Sequence, residues 1–509
     1  KASEKLFVTY HRLDSSGASA RKSYIVSVLE GLFSSLKAKD AKILMEKMDY
    51  ISTYEECKNR FVELCHELKV RGVLEEDKLK IFHSLLSYME QYHKEDLSML
   101  LEGIFFTFEN DAISQASARV LNGREEFRVS ASKLEKYAEC AYRYFLQYGL
   151  RLRERREHAF ESYDIGNIYH EALNRFSSLI RKDDKNWAGI TEDEAKAYLR
   201  VAIKETLETI EKTEVYEKER EKYIIHRIEE TLKRTVWAIM HQVRQGKYEP
   251  KYFEVEIQEL NNGQALSHEL KDHSHLRLDG VVDRLDTYQN EDRVYVKILD
   301  YKSGKKELDY VQLYYGLQIQ LVYYMGACVE GLQTKMNDKE VLPGAMLYYH
   351  LDNPFVEVKK EAEIEDSLLK ELRPTGCIND KEESLEAIDK ELLSEDGKDS
   401  LVCHIRTKKN RAGLHANSQT LSQAEFEGLI SFVKDKVVET GEKILDGDIS
   451  VSPYKYKDRS GCDYCPYHGI CGFEAGLEGY NYNKLDSTIT KDNVLEKMIK
   501  ETREDENNE

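Results

Sequence analysis

The stretch Val294-Tyr295-Val296-Lys297-Ile298-Leu299-Asp300-Tyr301-Lys302 decides the fold, because it reads as a strand that ends in two charges. Side chains on a strand alternate between faces, so three apolar residues share one face with Asp300 and Lys302. The apolar residues suit a core, whereas the charges are costly to bury unless they pair or bind something. From this spacing alone, an exposed ion pair beyond the sheet edge and a functional site are about equally open.

A second acid on the strand-like segment immediately upstream favours the functional interpretation. In Leu278-Asp279-Gly280-Val281-Val282-Asp283-Arg284-Leu285-Asp286, we expect Asp283 to share a face with Val281 and Asp279. Two adjacent strands then each deliver a carboxylate, and a divalent cation relieves the repulsion between such groups. Hard oxygen ligands suit Mg²⁺ or Mn²⁺. The lysine that follows the first acid is then placed to orient or activate a water, or to stabilise developing negative charge.

Two helical segments carry further polar side chains. In Gly166-Asn167-Ile168-Tyr169-His170, the histidine lies one turn beyond a glycine, where a backbone or a substrate can approach closely. Gln320 and Tyr324 are four residues apart and so share one face of a helix. Taken alone, a helical histidine is more often a packed or surface residue than a ligand, and such a tyrosine is ordinary core.

Four cysteines predict a separate thiolate site. Cys462, Cys465 and Cys471 have C-x2-C-x5-C spacing, and Cys140, which lies 322 residues before Cys462, is the most plausible fourth ligand. Sulfur-rich four-coordinate sites hold zinc or an iron–sulfur cluster, and the spacing does not distinguish the two. The other five cysteines have no motif spacing and are interpreted as small apolar residues: Cys57, Cys65, Cys328, Cys377 and Cys403.

Length and composition predict a soluble globular protein of more than one domain. The chain has 509 residues, of which 41% are hydrophobic and 33% charged, and no apolar run approaches a membrane span. No secretory signal pattern opens the sequence, which begins at Lys1 and so suggests a fragment or a processed chain. Nine cysteines, an odd number, argue against an extracellular disulfide framework and favour a reducing cytoplasm.

The charge distribution limits how this protein can bind nucleic acids. A net charge of -19 counts against indiscriminate binding, which depends on Lys and Arg neutralising phosphates. Two basic runs, residues 151–156 and 406–411, are nevertheless candidates for DNA contact because of the metal chemistry predicted beside them.

The chain is expected to have three regions. The spacing of apolar residues predicts that residues 1–127 are mostly helical, and composition predicts an acidic tail over residues 481–509. Residues 128–480 between them form the domain that the family resemblance described below implies. No G-x-x-x-x-G-K-[ST] loop is present for ATP phosphates. We predict helices over residues 37–48, 79–92, 130–149, 164–182, 192–245 and 311–329, and strands over residues 252–257, 275–285, 293–301 and 345–349.

Taken in order, these motifs resemble those of the RecB-type nuclease branch of the PD-(D/E)xK superfamily. The matching patterns are G-x-x-x-H at 166–170, G-x-x-D-R-x-D at 280–286, D-Y-K-S at 300–303 and Q-x-x-x-Y at 320–324. The four cysteines are similar to the iron–sulfur staple of one subset. Residues 128–475 as a whole resemble the C-terminal part of the AddB family, whose members belong to bacterial AddAB helicase–nucleases.

The resemblance implies a fold and a set of residue roles. The fold is an α/β PD-(D/E)xK (RecB-like) core, with a central mixed sheet flanked by helices, stapled by a four-cysteine cluster and preceded by a mostly helical remnant of a helicase-like region. Residues matching the metal ligands are His170, Asp283 and Asp300, with Lys302 serving the attacking water and Gln320 and Tyr324 supporting the site or contacting DNA. Glu256 matches an acidic position less securely, with Glu254 as its competitor. The residues matching a [4Fe-4S] cluster are Cys140, Cys462, Cys465 and Cys471.

The resemblance also implies an activity and a partner. The expected activity is metal-dependent single-strand DNA exonuclease cleavage, with Mg²⁺ or Mn²⁺, of the 5′-terminated strand during resection of double-strand breaks. The partner is an AddA-type protein that supplies ATP-driven unwinding, and no membrane is involved. One alternative is a CRISPR-associated RecB-like exonuclease, against which the length and the helical leader count. The other alternative is a catalytically inactive scaffold that binds DNA ends. The intact set of Asp283, Asp300 and Lys302 argues against it.

Overall fold

The computed structural model describes most of the chain. The described residues are 8–12, 19, 21–33, 35, 38, 51–123, 126–153, 162–209, 219–263, 266–336, 338–358, 360–394, 396–409 and 413–506. The chain divides into two compact units, Lys1–Thr107 and Phe108–Glu509. The domain limits expected from the sequence, at residues 127 and 480, stay predictions.

The first unit is helical wherever it is regular. Its helices are Tyr24–Leu32, Tyr54–Arg71, Glu76–Tyr92 and Lys94–Ile104. Thr53 and Glu56 form a reciprocal capping box at the start of the second helix, which satisfies otherwise unpaired amide groups. Phe61 and Met89 are fully buried in the core that these helices share. The predicted helix over 79–92 is confirmed, whereas the one over 37–48 lies outside the described residues apart from residue 38.

A mixed six-stranded sheet forms the centre of the second unit. In spatial order its strands are β2, β5, β6, β7, β8 and β9, of which β6–β7 and β8–β9 are parallel pairs and the others antiparallel. Two small three-stranded sheets have the orders β1-β4-β3 and β11-β10-β12. The strand bounds are β1 Glu126–Ser130, β2 Glu249–Glu256, β3 Ser267–Glu269, β4 His275–Asp279, β5 Val281–Gln289, β6 Arg293–Lys302, β7 Glu340–His350, β8 Thr375–Asn379, β9 Thr420–Leu421, β10 Tyr454–Tyr456, β11 Arg459–Ser460 and β12 Asn483–Lys484.

Helices cover both faces of the large sheet, as expected for a fold of this class. One face, which includes Val296 and Ile298, packs against helices Gln320–Gln333 and Gln423–Leu445. The other face packs against helices that contribute a second apolar core, namely Ser162–Lys182, Glu192–Thr209 and Glu219–Gln245. The remaining helices are Gln115–Asn122, Ala131–Glu139, Ala141–Tyr144, Ile257–Leu260, Tyr310–Tyr314, Ile364–Glu371, Glu382–Ile388, His468–Cys471 and Lys491–Glu506.

The predicted strand over 275–285 is wrong as a single element. It breaks at Gly280 into β4 and β5, which belong to different sheets, so Asp279 does not share a face with Asp283. A Cβ at Gly280 would lie 2.7 Å from the Tyr324 ring and 2.8 Å from Ile257 Cδ1. Because only a glycine fits between these side chains, the chain changes sheet there.

The predicted helix over 130–149 is also interrupted. Helix Ala131–Glu139 ends at Cys140, whose backbone is extended with φ −173° and ψ 121°. A new helix starts at Ala141 and continues as a π-helical turn over Phe145–Gly149. The interruption has a backbone cause, because the Tyr142 amide donates to the Ser450 carbonyl at 3.1 Å and so ties this corner to the segment that leads to the late cysteines.

Three further elements differ in extent from the sequence expectation. The predicted helix over 311–329 is two helices, Tyr310–Tyr314 and Gln320–Gln333, since Gly316 between them has a φ of 82°. Residues 192–245 contain the helices Glu192–Thr209 and Glu219–Gln245, and residues 210–218 between them lie outside the described ranges. Within the described part of the chain, no helix combines the length and apolar character that crossing a membrane requires.

Candidate active site

The two predicted acids meet at one edge of the central sheet. Arg284 on β5 pairs with Leu299 on β6, so Asp283 and Asp300 follow each other in register across the two strands. Burial raises the pKa of the Asp300 carboxyl, and the nearby charge of Asp283 raises it further. The structure therefore brings together the pair of carboxylates on which the sequence interpretation depends.

Asp300 is held by a lysine and an amide. Its Oδ2 lies 2.5 Å from Lys302 Nζ, and Gln320 Nε2 donates a hydrogen bond of 3.2 Å to its Oδ1. Burial lowers the pKa of Lys302, but the facing carboxylate outweighs this effect and the net pKa is raised. Lys302 therefore stays an ammonium, which suits it to stabilise negative charge and to orient a water.

His170 joins a second carboxylate pair at the same edge. Its Nδ1 lies 3.2 Å from Glu254 Oε1 and 3.3 Å from Asp283 Oδ1. Burial lowers the pKa of His170, yet hydrogen bonds and charge from these two acids raise it to about 10. The other ring nitrogen, Nε2, contacts the Tyr301 carbonyl oxygen at 3.1 Å.

This arrangement fits a divalent cation. Within the described part of the chain, ligand atoms of His170, Glu254 and Asp283 all lie within 4.8 Å of one another. Metal-binding histidines usually donate their second ring N–H to a carbonyl or a carboxylate, and the contact of Nε2 with Tyr301 supplies that support. The Tyr301 amide also donates to Asp283 Oδ2 at 2.6 Å, which fixes the second carboxylate of the group.

The structure separates the two glutamates that compete for the acidic position. Glu254 has a positive φ of 44°, which is uncommon for a residue with a Cβ, and its carboxylate contacts His170. Glu256 is exposed and accepts a hydrogen bond from Gln258, two residues away. Glu254 thus belongs to the group around His170 and Asp283, and it lines the same pocket as the histidine.

Sequence reasoning missed one residue that supports the site, Glu135. Its Oε1 accepts a 2.9 Å hydrogen bond from the backbone N–H of Gln320. Gln320 begins its helix, and its side-chain amide is the group that holds Asp300. Burial raises the pKa of Glu135, while Lys306 and Lys302 oppose the shift. The sequence contains one signal for this role. Glu135 lies four residues after Ala131 and so shares a helix face with a buried residue, where a carboxylate needs a partner.

Tyr324 and Gln320 lie on one helix face, as expected from their spacing. Tyr324 is buried, and its ring occupies the space that a side chain at Gly280 would need. Burial raises the pKa of this phenol, and the Asp300 charge adds to the shift. Tyr324 therefore packs against the point at which β5 enters the central sheet.

An open pocket of about 550 Å³ gives access to this edge. Lys302 and Ser303 form part of its wall, together with residues from the helix and from β2, namely Gly166, Asn167, His170, Glu171 and Glu254. A Cβ at Gly166 would meet no atom within 4 Å, so no protein contact requires glycine there. The free space beside it is available to a substrate.

Comparison with known proteins assigns this chain to a family. The sequence pattern of the PD-(D/E)XK nuclease superfamily matches residues 128–472, which is more than half of the chain. The chain belongs to the PD-(D/E)XK nuclease superfamily. The matched range contains the two acids, the lysine and all four motif cysteines.

Several curated relatives are named as one of the subunits of an ATP-dependent helicase/deoxyribonuclease. The protein from Lachnoclostridium phytofermentans is 31% identical over 98% of this chain and 42% of its own length. Those from Clostridioides difficile and Caldanaerobacter subterraneus are each 29% identical over 98% of this chain, covering 44% and 43% of their lengths. The chain therefore spans less than half the length of these relatives.

Within this nuclease superfamily domain, a buried charge network lies behind the site. Arg284 donates to both carboxylate oxygens of Asp286, at 2.7 and 2.8 Å, and Lys297 Nζ lies 2.8 Å from the same carboxylate. The Arg284 guanidinium also lies 5.6 Å from the centre of the Trp187 ring. Because Asp286 lies on β5 and Lys297 on β6, this network joins the two strands whose ends carry the acids.

The four motif cysteines also approach one another. Cys140 is buried, whereas Cys462, Cys465 and Cys471 are partly exposed, and none of the chain's nine cysteines, all within the described ranges, forms a disulfide. Burial raises the pKa of Cys462 to about 11, and the nearby charges of Cys140, Cys471 and Cys465 contribute to that shift. Cys140 therefore lies near enough to the late trio for its charge to act on Cys462.

Proposed function

We propose that this chain is the nuclease part of a DNA-processing enzyme and hydrolyses phosphodiester bonds of single-stranded DNA with a divalent cation. The observation that carries the proposal is the convergence of His170, Glu254 and Asp283 beside the Asp300–Lys302 pair in a member of this nuclease superfamily. Histidine and carboxylate ligands suit Mg²⁺ or Mn²⁺.

Each side chain has a defined part in this proposal. When bound, the cation supplies Lewis-acid polarisation of the phosphate and lowers the pKa of water. His170, Glu254 and Asp283 would hold it, with His170 contributing Nδ1 because Nε2 is engaged by the Tyr301 carbonyl. Asp300 holds Lys302 in place, and the Lys302 ammonium faces the pocket where it stabilises negative charge on the phosphate and orients the attacking water.

This ligand set differs in one respect from the one implied by the sequence resemblance. Asp300 is occupied by Lys302 and Gln320, while Glu254 contacts His170. We therefore assign Glu254 to the cation group and Asp300 to a site where it both orients the lysine and adds negative charge beside the cation. Gln320 positions Asp300, and Tyr324 positions the strand entry at Gly280.

We propose in addition that Cys140, Cys462, Cys465 and Cys471 bind a [4Fe-4S] cluster with a structural role. Their mutual effect on the pKa of Cys462 supports a shared site. Sulfur-rich four-coordinate sites hold zinc or an iron–sulfur cluster, and the resemblance of these four cysteines to an iron–sulfur staple favours the cluster.

The name of the relatives supports a wider assembly. We propose that this chain works within an AddAB-type helicase–nuclease that resects double-strand breaks, with a separate AddA-type protein as its partner. Its substrate there is the single strand released by unwinding, and the 5′-terminated strand is the one implied by the resemblance. The cytoplasm, where such DNA lies, is the proposed location.

An end-labelled single strand tests the activity and its direction together. We expect the wild-type protein to release labelled mononucleotides or short products from a 5′-labelled strand with Mg²⁺ and to release none with EDTA. The matched strand labelled at its 3′ end should lose its label only after extensive digestion. A protein that binds the strand but yields no product with Mg²⁺ or Mn²⁺ acts as a scaffold, and that outcome rejects the nuclease proposal.

Metal analysis tests the cysteine proposal separately. Protein purified without oxygen should be brown and contain about four iron atoms and four sulfides for each chain, as the cluster formula requires. Colourless protein with one zinc ion and no sulfide would reject the cluster while leaving the nuclease proposal intact.

A further inference from the structure

A second cavity shares the segment after β6 with the active-site pocket. It has a volume of about 610 Å³ and opens to solvent. Its walls come from the segment after β6, from β8, from the hairpin of β10 and β11, and from the start of helix Lys491–Glu506. Lys302 and Ser303 line the active-site pocket, whereas Lys305 and Lys306 line this cavity, which we call the basic cleft.

Four cations from three separate parts of the chain line the basic cleft: Lys305, Lys306, Arg459 and Lys491. Within the described ranges, no carboxylate oxygen lies within 4.0 Å, the limit for an ion pair, of a side-chain nitrogen of these four residues. Cations that face a water-filled cavity without counter-charges bind anions, and phosphate oxygens are suitable ones.

The acids of the cleft do not cancel this charge. Of the two that line it, Asp309 is engaged elsewhere, because its carboxylate accepts hydrogen bonds from the amides of Val311 and Gln312 at 2.9 and 3.1 Å. The same carboxylate also lies 3.8 Å from Lys457 Nζ. The remaining acid, Glu307, is a single carboxylate facing four cations. The cleft therefore keeps a surplus of positive charge in a strongly acidic protein.

Hydrogen bonds hold the cleft wall next to the catalytic edge. The Lys306 amide donates to His350 Nε2 at 2.8 Å, and its carbonyl accepts from Thr375 Oγ1 at 2.9 Å. The Lys306 ammonium is close enough to Asp300 to oppose the rise in the pKa of that carboxyl, which is caused chiefly by burial. A DNA strand with one phosphate at Lys302 can thus place its next phosphates in the cleft, because Lys305 and Lys306 continue the positive charge from one cavity to the other.

The aromatic residues of the cleft indicate which part of a strand it contacts. Tyr310 and Tyr456 line it, but their exposed fractions are only 8% and 7%. Rings this buried offer no open face on which bases can stack. The available contacts are therefore charged groups, which suit a sequence-independent grip on the phosphate backbone.

We propose that the basic cleft binds phosphates of the same DNA strand that is cut, on one side of the scissile bond, and so keeps the strand engaged between cleavage events. The inference rests on the proposed nuclease function and adds the path of the strand. Two cavities that are linked by residues 302–306 and lined by cations from several elements favour a polynucleotide over a free nucleotide, which would fill only one of them.

The test compares two doubly substituted full-length proteins that lose the same charges. Lys305→Gln with Arg459→Gln removes two cleft cations, and Lys204→Gln with Arg200→Gln removes two exposed cations of helix Glu192–Thr209 that line neither cavity. Hydrolysis of a single strand of about 30 nucleotides is measured with Mg²⁺ at about 50 to 200 mM salt, the range over which phosphate contacts are most visible.

For the cleft variant we expect an unchanged kcat, a KM raised several-fold, and a slope of log(kcat/KM) against log[salt] reduced by about 1.4, since each lost phosphate contact on a single strand contributes about 0.7. The control variant should behave as wild type, and a dinucleotide too short to reach the cleft should be cut equally well by all three proteins.

Each outcome decides a separate question. If wild type fails to cut DNA, the proposed function fails. If wild type cuts and the cleft variant matches the control in KM and salt slope, the cleft proposal is overturned. Inhibition by dAMP as strong as that by the oligonucleotide would also overturn it, since the occupant would then be a free nucleotide. If the double substitution lowers the melting temperature, Lys491→Glu, which reverses an exposed charge at the start of the last helix, replaces it with the same expected direction.

Discussion

The carboxylate site and the cysteine site are held together in different ways. Asp283 accepts a hydrogen bond from the Tyr301 amide, and Asp300 is held by Lys302 and Gln320. At the cysteine site the thiols make weak S–H···O hydrogen bonds, from Cys140 Sγ to the Ser450 carbonyl oxygen at 4.0 Å and from Cys471 Sγ to that of His468 at 3.8 Å. Protein hydrogen bonds thus assemble the first site firmly and the second only loosely.

This difference predicts opposite responses to loss of the bound group. Removing the cation from a site built by protein hydrogen bonds should stop the chemistry and leave the fold intact. Removing the cluster should loosen this part of the domain, because the protein contacts that join the residues around Cys140 to the late segment are local ones, such as the Tyr142 amide on the Ser450 carbonyl and the Tyr467 hydroxyl on the Leu152 carbonyl. The small apolar cluster around Phe473 and Tyr480 adds limited support.

Cys140→Ser should have the largest effect and should act on stability. Closing a loop of this length offsets loop entropy of roughly 5 kcal/mol at most, so we expect a loss of several kcal/mol in the free energy of unfolding together with loss of iron. Thermal unfolding and iron analysis measure the two effects. The control is Cys57→Ser, another buried cysteine, which should keep its iron. An iron-free variant with an unchanged melting temperature would contradict the structural role.

Asp300→Ala should act on activity alone. The variant loses both the charge beside the cation and the partner of Lys302, and we expect cleavage to fall by at least about 100-fold. Its iron content should match wild type and its melting temperature should change little, because removing a carboxylate whose raised pKa destabilises the fold at neutral pH offsets the loss of the stabilising contact with Lys302. The control is Asp292→Asn, an exposed acid in the turn before β6. Brisk cleavage by folded Asp300→Ala protein would reject the assigned role.

Glu254→Gln and Glu256→Gln form a matched pair two residues apart on β2. Loss of the Glu254 carboxylate removes one member of the cation group, so we expect Mn²⁺ affinity and cleavage to fall by about 10- to 100-fold. Glu256 is exposed and contacts only Gln258 among the described side chains, so its variant should resemble wild type. Titration of Mn²⁺ against activity measures both, and the reverse order would restore Glu256 as the ligand.

Glu135→Gln should have the smallest effect, and its sign depends on pH. Burial raises the folded-state pKa above the ordinary 4.5, so the stabilising contribution of this group is present below 4.5 and is lost as pH rises through the folded-state value. The neutral glutamine avoids that loss while its oxygen still accepts from the Gln320 amide. The variant should therefore become more stable relative to wild type as pH rises from about 4 to about 8 in urea unfolding, with modest loss of activity. A constant difference across this range would contradict the assignment.

Local sequence predicted the strand ends well because period and charge are both visible there. The alternation from Val294 to Lys302 indicated the correct strand and the correct end for its two charges. The strand predicted for Asp283 was correct only from Val281 onward, since residues 275–279 belong to another sheet. The spacing of Gln320 and Tyr324 similarly predicted their shared helix, since a helix face depends only on residues four apart.

What the sequence did not predict depends on contacts between distant segments. Gly280 breaks a continuous apolar pattern because Tyr324, far along the chain, fills the space beside it. Glu254 reaches His170 through a positive φ that no period predicts. The basic cleft escaped notice for a similar reason, since its cations are scattered at residues 305, 306, 459 and 491, whereas the basic runs chosen from the sequence are contiguous. Residues 154–156 and 410–411 of those runs lie outside the described ranges.

Tyr301 limits how this protein can be redesigned. Its main-chain amide and carbonyl both serve the site, to Asp283 and to His170, while its buried ring belongs to the inner core beside Arg284. A substitution that moves the Tyr301 ring would therefore shift the backbone that holds both Asp283 and His170, even where the substituted residue contacts neither side chain. Engineers seeking new substrate preferences should vary the exposed rims of the two cavities and keep the interior of β6 unaltered.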